Sequence, residues 1–235
     1  MKIRKKTLPV LRPLGDEKDV DALRKTILGG WWGRGPKVEE LEKKFAKKIG
    51  TKYAVAVNSN TSGIDLVLKA YNINNGNILS PTISFVTTAM VPLWNNCDSK
   101  LCDVDKITNN LDPESVKKNM NKKTKAVIAV NYAGIPCDID KIRKYFNGLI
   151  IEDCALSYYT AGAGLKGDVA VWSFQAVKTI SSGDGGLITT NSKEIYNRLK
   201  LLTNFGIPKD TYQRSVSKNS QQKLQPGYVW DFNIK

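Results

Sequence analysis

Apolar and polar positions along this chain follow two different periods, one after the other. Over residues 37–49 the apolar side chains Val38, Leu41, Phe45 and Ile49 recur every three or four positions, with lysines and glutamates between them. That spacing predicts an amphipathic helix with those four residues facing inward. Similar patterns predict helices near 17–28, 61–71, 85–94, 112–120, 138–147 and 192–202. Asp112-Pro-Glu and Asp138-Ile-Asp open two of them, with an acid as N-cap and another in the first turn. Short apolar runs lie between, predicting strands at 53–57, 78–80, 100–103, 125–130, 149–152, 169–173 and 186–190. The runs Ala126-Val-Ile-Ala-Val130 and Leu149-Ile-Ile151 are continuous rather than alternating, as in parallel strands covered on both faces. Helical and strand patterns taking turns predict an α/β fold, a mostly parallel seven-stranded sheet in a three-layer αβα arrangement. No repeat interrupts it, and residues 215–225 read as a polar loop.

Composition narrows the function classes. A chain of 235 residues with 41% hydrophobic and 25% charged positions is long enough for a substantial core. No apolar run approaches the roughly 20 residues of a membrane span. The basic first residues are followed by a stretch too short and too proline-broken for a signal peptide, so the expectation is a cytoplasmic protein. The four cysteines (Cys97, Cys102, Cys137, Cys154) form no CxxC. They are expected to be reduced, buried thiols, with no metal site. The chain has no histidine, which excludes Ser-His-Asp and Cys-His catalysis. Proton transfer then falls to Lys, Asp, Glu, Tyr or a cofactor. A net charge of +14 invites a nucleic-acid reading. The lysines are spread along the chain and interleaved with acids, which argues against it; the same field favours anionic small substrates.

Ligands of such sheets bind beyond the carboxyl ends of the strands. Two residues in that position carry the chemistry. Lys178 follows the run Val169-Ala-Val-Trp-Ser-Phe and precedes a Ser/Gly-rich turn, and Asp153 ends the run Leu149-Ile-Ile-Glu. A lysine amine forms a Schiff base with an aldehyde cofactor, and a carboxylate at a buried strand end can keep a pyridine nitrogen protonated. Taken alone, Asp153 reads equally well as a helix cap or a salt-bridge partner. The backbone amides of Asn60 and Thr61, with the Thr61 hydroxyl, would cradle a phosphate; the bland alternative is an N-cap without a ligand. Ser173 could bond a phosphate or be an ordinary strand-end hydroxyl. Phe85 could stack on a planar ring or sit in the core.

Read together, seven motifs resemble the DegT/DnrJ/EryC1/StrS family. They are Gly30-Trp-Trp-Gly-Arg-Gly-Pro36, Val55-Ala-Val-Asn-Ser-Asn-Thr61, Ser80-Pro-Thr-Ile-Ser-Phe85, Asn131-Tyr-Ala-Gly-Ile-Pro-Cys-Asp138, Ile151-Glu-Asp-Cys-Ala155, Trp172-Ser-Phe-Gln-Ala-Val-Lys178 and Gly183-Asp-Gly-Gly186. The resemblance implies a pyridoxal phosphate (PLP) aminotransferase acting on nucleotide-linked keto-sugars, with an amino acid, usually glutamate, as donor. It implies the aspartate-aminotransferase-like large domain of PLP fold type I. It makes Lys178 the Schiff-base lysine and proton shuttle, and Asp153 the partner of the ring nitrogen. Phe85 and Ala155 would pack on the two faces of the ring, and Asn60, Thr61 and Ser173 would hold the phosphate. A homodimer is implied as well, since the family builds its sites across two subunits.

Some positions depart from the family pattern. Leu156 stands where the family usually has His or Gln near the cofactor's phenolic oxygen, and leucine donates no hydrogen bond. Asn131 replaces the usual His before Tyr-Ala-Gly. Residues 158–166 read as shorter than the family's hairpin. The expected organisation is one PLP-binding large domain with its N-terminal segment over 1–235, without the family's C-terminal small domain. An alternative from the same residues is a non-catalytic relative that binds PLP or a nucleotide-sugar, or pairs with a full-length partner. The Trp31-Trp32 pair would contact a sugar or base, or be a packed surface loop.

Overall fold

Strand side chains point alternately to opposite faces of a sheet, and in this chain both faces are apolar. The computed structural model describes residues 7, 12–209 and 211–216. Among them, seven strands form one sheet: β1 (Tyr53–Val57), β2 (Asn77–Pro81), β3 (Asp98–Cys102), β4 (Thr124–Val130), β5 (Leu149–Asp153), β6 (Val169–Ser173) and β7 (Gly186–Thr190). Their order is β1-β7-β6-β5-β4-β2-β3. Only β7 runs against its neighbours; the other pairings are parallel. The expected seven strands in a mostly parallel sheet are therefore present.

Helices α3 (Asn60–Ala70), α4 (Thr87–Trp94) and α7 (Lys193–Leu202) cover one face. Their Ile64, Val67, Leu68, Val91, Ile195 and Leu199 pack on Val55, Ile78, Ile128, Ile151, Val171 and Ile188. The other face takes the intervening strand residues. Leu79, Val127, Ala129 and Ile150 lie under α5 (Pro113–Asn119) and α6 (Ile139–Arg143). Ala54, Ala170, Trp172 and Leu187 lie under α2 (Pro36–Ile49). Each fully buried Ile or Leu contributes roughly 1.5–3 kcal/mol over an exposed one, so this two-sided patterning holds the three layers together. Asp112 and Asp138 cap α5 and α6 as expected, accepting from the amides of Glu114 and Lys141 at 3.0 Å each. Helix α1 (Glu17–Leu28) has a capping box between Asp16 and Asp19 and buries none of its residues.

Four local expectations need correction. In α2, Leu41 is 41% exposed and Glu42, at 6%, is buried instead. The edge strand β1 explains this. The Ala56 amide donates to Glu42 Oε1 at 2.9 Å, and Arg34 (2.9 Å) and Lys200 (3.1 Å) neutralise the carboxylate. The helix expected over 138–147 ends at Arg143, because Lys144 and Tyr145 donate to carbonyls three residues back and tighten the chain into β5. Helix α4 starts at Thr87, since Thr88 and Ala89 likewise bond three residues back, to Phe85 and Val86. Of the loop expected at 215–225, the first two residues belong to helix α8 (Thr211–Val216), and 217–225 lie outside the described residues.

Helix α3 sits close to the sheet because Gly63 faces it. A β-carbon at Gly63 would lie 2.5 Å from Val171 Cγ1. Gly63→Val should cost about 1–3 kcal/mol through overpacking. That corresponds to a fall in Tm of about 2–4 °C per kcal/mol, read by circular dichroism. An unchanged or raised Tm would mean that α3 is not seated this closely.

Candidate active site

Asp153 is the last residue of β5 and is only 5% exposed. The strand alternation directs it to the face covered by α3, while Glu152 turns to the other face. Its Oδ1 accepts two hydrogen bonds, from Asn60 Nδ2 at 2.9 Å and from the Ala155 amide at 3.0 Å. Among the described residues, Oδ2 has no hydrogen-bond partner. Burial raises the Asp153 pKa, and the Ala155 amide, the Asn60 amide and the Lys178 ammonium oppose that rise. Lys178 is half-buried in the turn after β6, and its Nζ has neither a hydrogen bond nor an ion pair among the described residues.

Asn60 and Thr61 begin α3. Ser59 caps that helix, its Oγ accepting from the Ser62 amide at 3.1 Å, and the Gly63 amide bonds the Ser59 carbonyl at 3.0 Å. Among the described residues the amides of Asn60 and Thr61 have no acceptor, which is the usual condition of an anion-binding helix start. The Thr61 hydroxyl reaches Thr87 Oγ1 at 3.1 Å, tying this start to the first turn of α4, beside Phe85. Phe85 is 73% exposed, so the structure places it outside the core. Ser173 ends β6 directly opposite Gly186 in the β6–β7 pairing. A β-carbon on Gly186 would fall 2.5 Å from the Trp172 carbonyl and 3.0 Å from the Asn60 amide nitrogen, so a glycine is required where β7 meets α3.

All seven residues singled out in the sequence thus lie along one edge of the sheet. Asn60 and Ala155 both bond Asp153 Oδ1, and Lys178 acts on Asp153 through its charge; Ser173 faces Gly186 across β6 and β7, and Thr61 bonds Thr87, two residues after Phe85. The Asn60 side chain is turned to Asp153, and the backbone amide expected to meet a phosphate is not used in that contact.

The supports of this edge were not legible in advance. Glu152, 2% exposed, accepts from the amides of Gly164 (2.8 Å), Lys166 (2.6 Å) and Gly167 (2.6 Å) and so holds the loop that carries Ala155. That loop contains no strand. Phe174 pairs with Gly185 and Ser182 through backbone bonds of 2.9 Å and closes the Lys178 turn. Its ring packs on Phe45, which also meets Trp172 and Tyr158. The only signal for Glu152 was an acid beside Asp153 inside a buried strand. Asn131 is 1% exposed and bonds the Cys137 amide (2.8 Å) and Cys154 Sγ (3.4 Å), so it joins two loops. All four thiols are buried and free, and burial pushes Cys137 up to about 12 and Cys102 up to about 11. Beside the end of β1 lies a cavity of about 580 Å³ lined by Trp32, Arg34, Val38, Val57, Asn58 and Leu66. No helix among the described residues is long and apolar enough to cross a membrane.

The DegT/DnrJ/EryC1/StrS aminotransferase family model matches residues 13–230. The chain belongs to that family. The spore coat polysaccharide biosynthesis protein SpsC of Bacillus subtilis is 34% identical over 231 residues, which cover 94% of this chain and 59% of SpsC. An aminotransferase structure from Psychrobacter cryohalolentis is similar with a TM-score of 0.80 and 27% identity, covering 93% of this chain and 56% of that one. The sugar aminotransferase CalS13 from Micromonospora echinospora gives 0.82 and 26%, covering 90% and 61%. The chain spans about three fifths of the length of the curated relatives it matches.

DegT/DnrJ/EryC1/StrS aminotransferases depend on PLP, and the residues here fit that cofactor. A buried carboxylate with one oxygen free suits a protonated ring nitrogen, an unpaired lysine amine suits the aldehyde, and two free amides at a helix start suit the phosphate.

The electrostatics of Asp153 give a test with a definite sign. A carboxylate whose pKa is raised by folding binds its proton more tightly in the native state. Its contribution favours the fold at low pH and is lost as pH rises from the unfolded value through the raised one. Asp153→Asn keeps an oxygen for Asn60 and Ala155 but carries no charge. It should raise the urea midpoint of the cofactor-free protein at neutral pH, and the gain should shrink as the medium is acidified. A lower midpoint at neutral pH would contradict the assigned burial penalty.

Proposed function

We propose that this chain forms the cofactor-binding part of a PLP-dependent sugar aminotransferase, moving an amino group from an amino acid such as glutamate to a nucleotide-linked keto-sugar. The observation that carries this reading is the pairing of Asp153, with its free oxygen, and the unpaired Lys178 beside the free amides of α3. PLP bound there supplies an electron sink for the carbon that exchanges its amino group. Asp153 holds the proton on the ring nitrogen. Lys178 Nζ would hold the cofactor at its aldehyde and, as a free amine, would move a proton at the carbon that exchanges its amino group. The amides of Asn60 and Thr61, with the hydroxyls of Thr61 and Ser173, take the phosphate. Phe85 would cover one face of the ring and Ala155 the other.

Substrate class follows from family and field. The relative named for spore coat polysaccharide biosynthesis, and the neighbour named a sugar aminotransferase, support a keto-sugar acceptor and a role in amino-sugar or polysaccharide synthesis. A net charge of +14 favours the approach of an anionic nucleotide-sugar. The Trp32 indole, 76% exposed and fixed by a 3.0 Å bond from its Nε1 to the Ile27 carbonyl, offers a flat surface to sugar or base. Val86, between Phe85 and α4, and Leu93 and Trp94 at the end of that helix are exposed and support the pairing of two copies near the site.

Lys178→Ala should abolish the adduct that borohydride reduces after PLP is added, and leave the circular dichroism spectrum unchanged. Peptide mapping of the wild-type adduct should find the label on Lys178. An equal yield of adduct from the variant would refute the role of Lys178.

A further inference from the structure

The side chain of Asn60 raises a question that the phosphate role does not answer. Its amide nitrogen lies 2.9 Å from Asp153 Oδ1 and 3.1 Å from the Val171 carbonyl. Both neighbours are acceptors, so the nitrogen, and not the amide oxygen, must face them. Each of its two N–H groups is used. What the side chain still offers is a carbonyl oxygen, which a phosphate repels. The side chain therefore spans β5 and β6, fixed on one side to a strand carbonyl and on the other to the carboxylate.

We infer that Asn60 is a positioning residue that locks the Asp153 carboxylate so that Oδ2 faces the ring nitrogen; the inference rests on the function proposed above. The geometry gives the reason. Oδ1 is occupied by Asn60 and by the Ala155 amide at 3.0 Å. With both donors in place, rotation about the carboxylate bond would break two hydrogen bonds. Without Asn60 a single amide remains, and the plane of the carboxylate can turn away from the direction in which Oδ2 is held. Asn60 also supports the ionised form against the cost of burial, together with the Ala155 amide and Lys178. An ionised, correctly turned carboxylate is what a protonated ring nitrogen requires. The Asn60 side chain acts on the cofactor through Asp153, and alanine keeps the backbone amide, so its loss should be felt chiefly at the ring nitrogen.

The experiment compares PLP with its deaza analogue, in which a C–H replaces the ring nitrogen. Dissociation constants are measured by absorbance titration for the wild type, Asn60→Ala and Asp153→Asn. The wild type should prefer PLP to the analogue. Asn60→Ala should lose about tenfold of that preference, the low end for a hydrogen bond to a charged group, and should bind the analogue as well as the wild type does. Asp153→Asn sets the scale for complete loss. Thermal unfolding checks that the variants fold, and Asn60→Gly replaces Asn60→Ala if the latter does not. Equal weakening towards both cofactors would place Asn60 on the phosphate or in the fold and overturn the inference. A wild type that binds both cofactors equally would overturn it too, by removing the ring-nitrogen contact. A wild type that binds no PLP would instead overturn the function proposed above, and the Asn60 role with it.

Discussion

Glu152 and Asp153 end a strand in which all five residues are buried, and each draws its hydrogen-bond donors from the protein. Strand geometry sends them to opposite faces. Glu152 finds three backbone amides of the loop at residues 164–167 and thereby fixes the chain between β5 and β6. Asp153 finds only two donors, both on one oxygen. A buried charge that is half satisfied is costly, and the fold bears that cost at this position. The saturated carboxylate fixes the loop, and the other keeps one oxygen for the ring nitrogen that the proposed function sets against it.

The rest of the architecture serves that arrangement. Parallel strands β4, β5 and β6 bring their carboxyl ends to one edge, and β7 returns antiparallel to start at the same place. Glycines at positions 63 and 186 let α3 descend onto β6 and β7, which brings Asn60 within hydrogen-bond range of Asp153. The aromatic group of Phe45, Tyr158, Trp172 and Phe174 lies on the opposite face and supports both mobile-looking segments of sequence, the loop after β5 and the turn bearing Lys178. Lys178 is thus held in a closed turn rather than on an open loop, as pre-organised chemistry requires.

Much of this was legible in the amino-acid sequence, for physical reasons. Continuous apolar runs gave away the parallel strands, because strands covered on both faces have no polar side. Asp112 and Asp138 announced their helices because a cap is a local interaction. The position of Asp153 and Lys178 after such runs pointed to the sheet edge. Long-range partners were hidden. Glu42 looked like one more surface acid until the outward amide of Ala56 on the edge strand claimed it. Asn60 sits in a stretch whose local role, starting a helix, says nothing about a carboxylate 93 residues away. Glu152 depends on a loop closing over it, which no period in the sequence encodes.

The central claim is that the free oxygen of Asp153 keeps the cofactor's ring nitrogen protonated. The direct measurement is the ¹⁵N chemical shift of the ring nitrogen in protein loaded with ¹⁵N-labelled PLP, followed from neutral into alkaline pH. The account predicts a protonated ring nitrogen throughout. A shift characteristic of neutral pyridine at neutral pH would contradict it, and with it the reading of Asp153 as the residue on which this site depends.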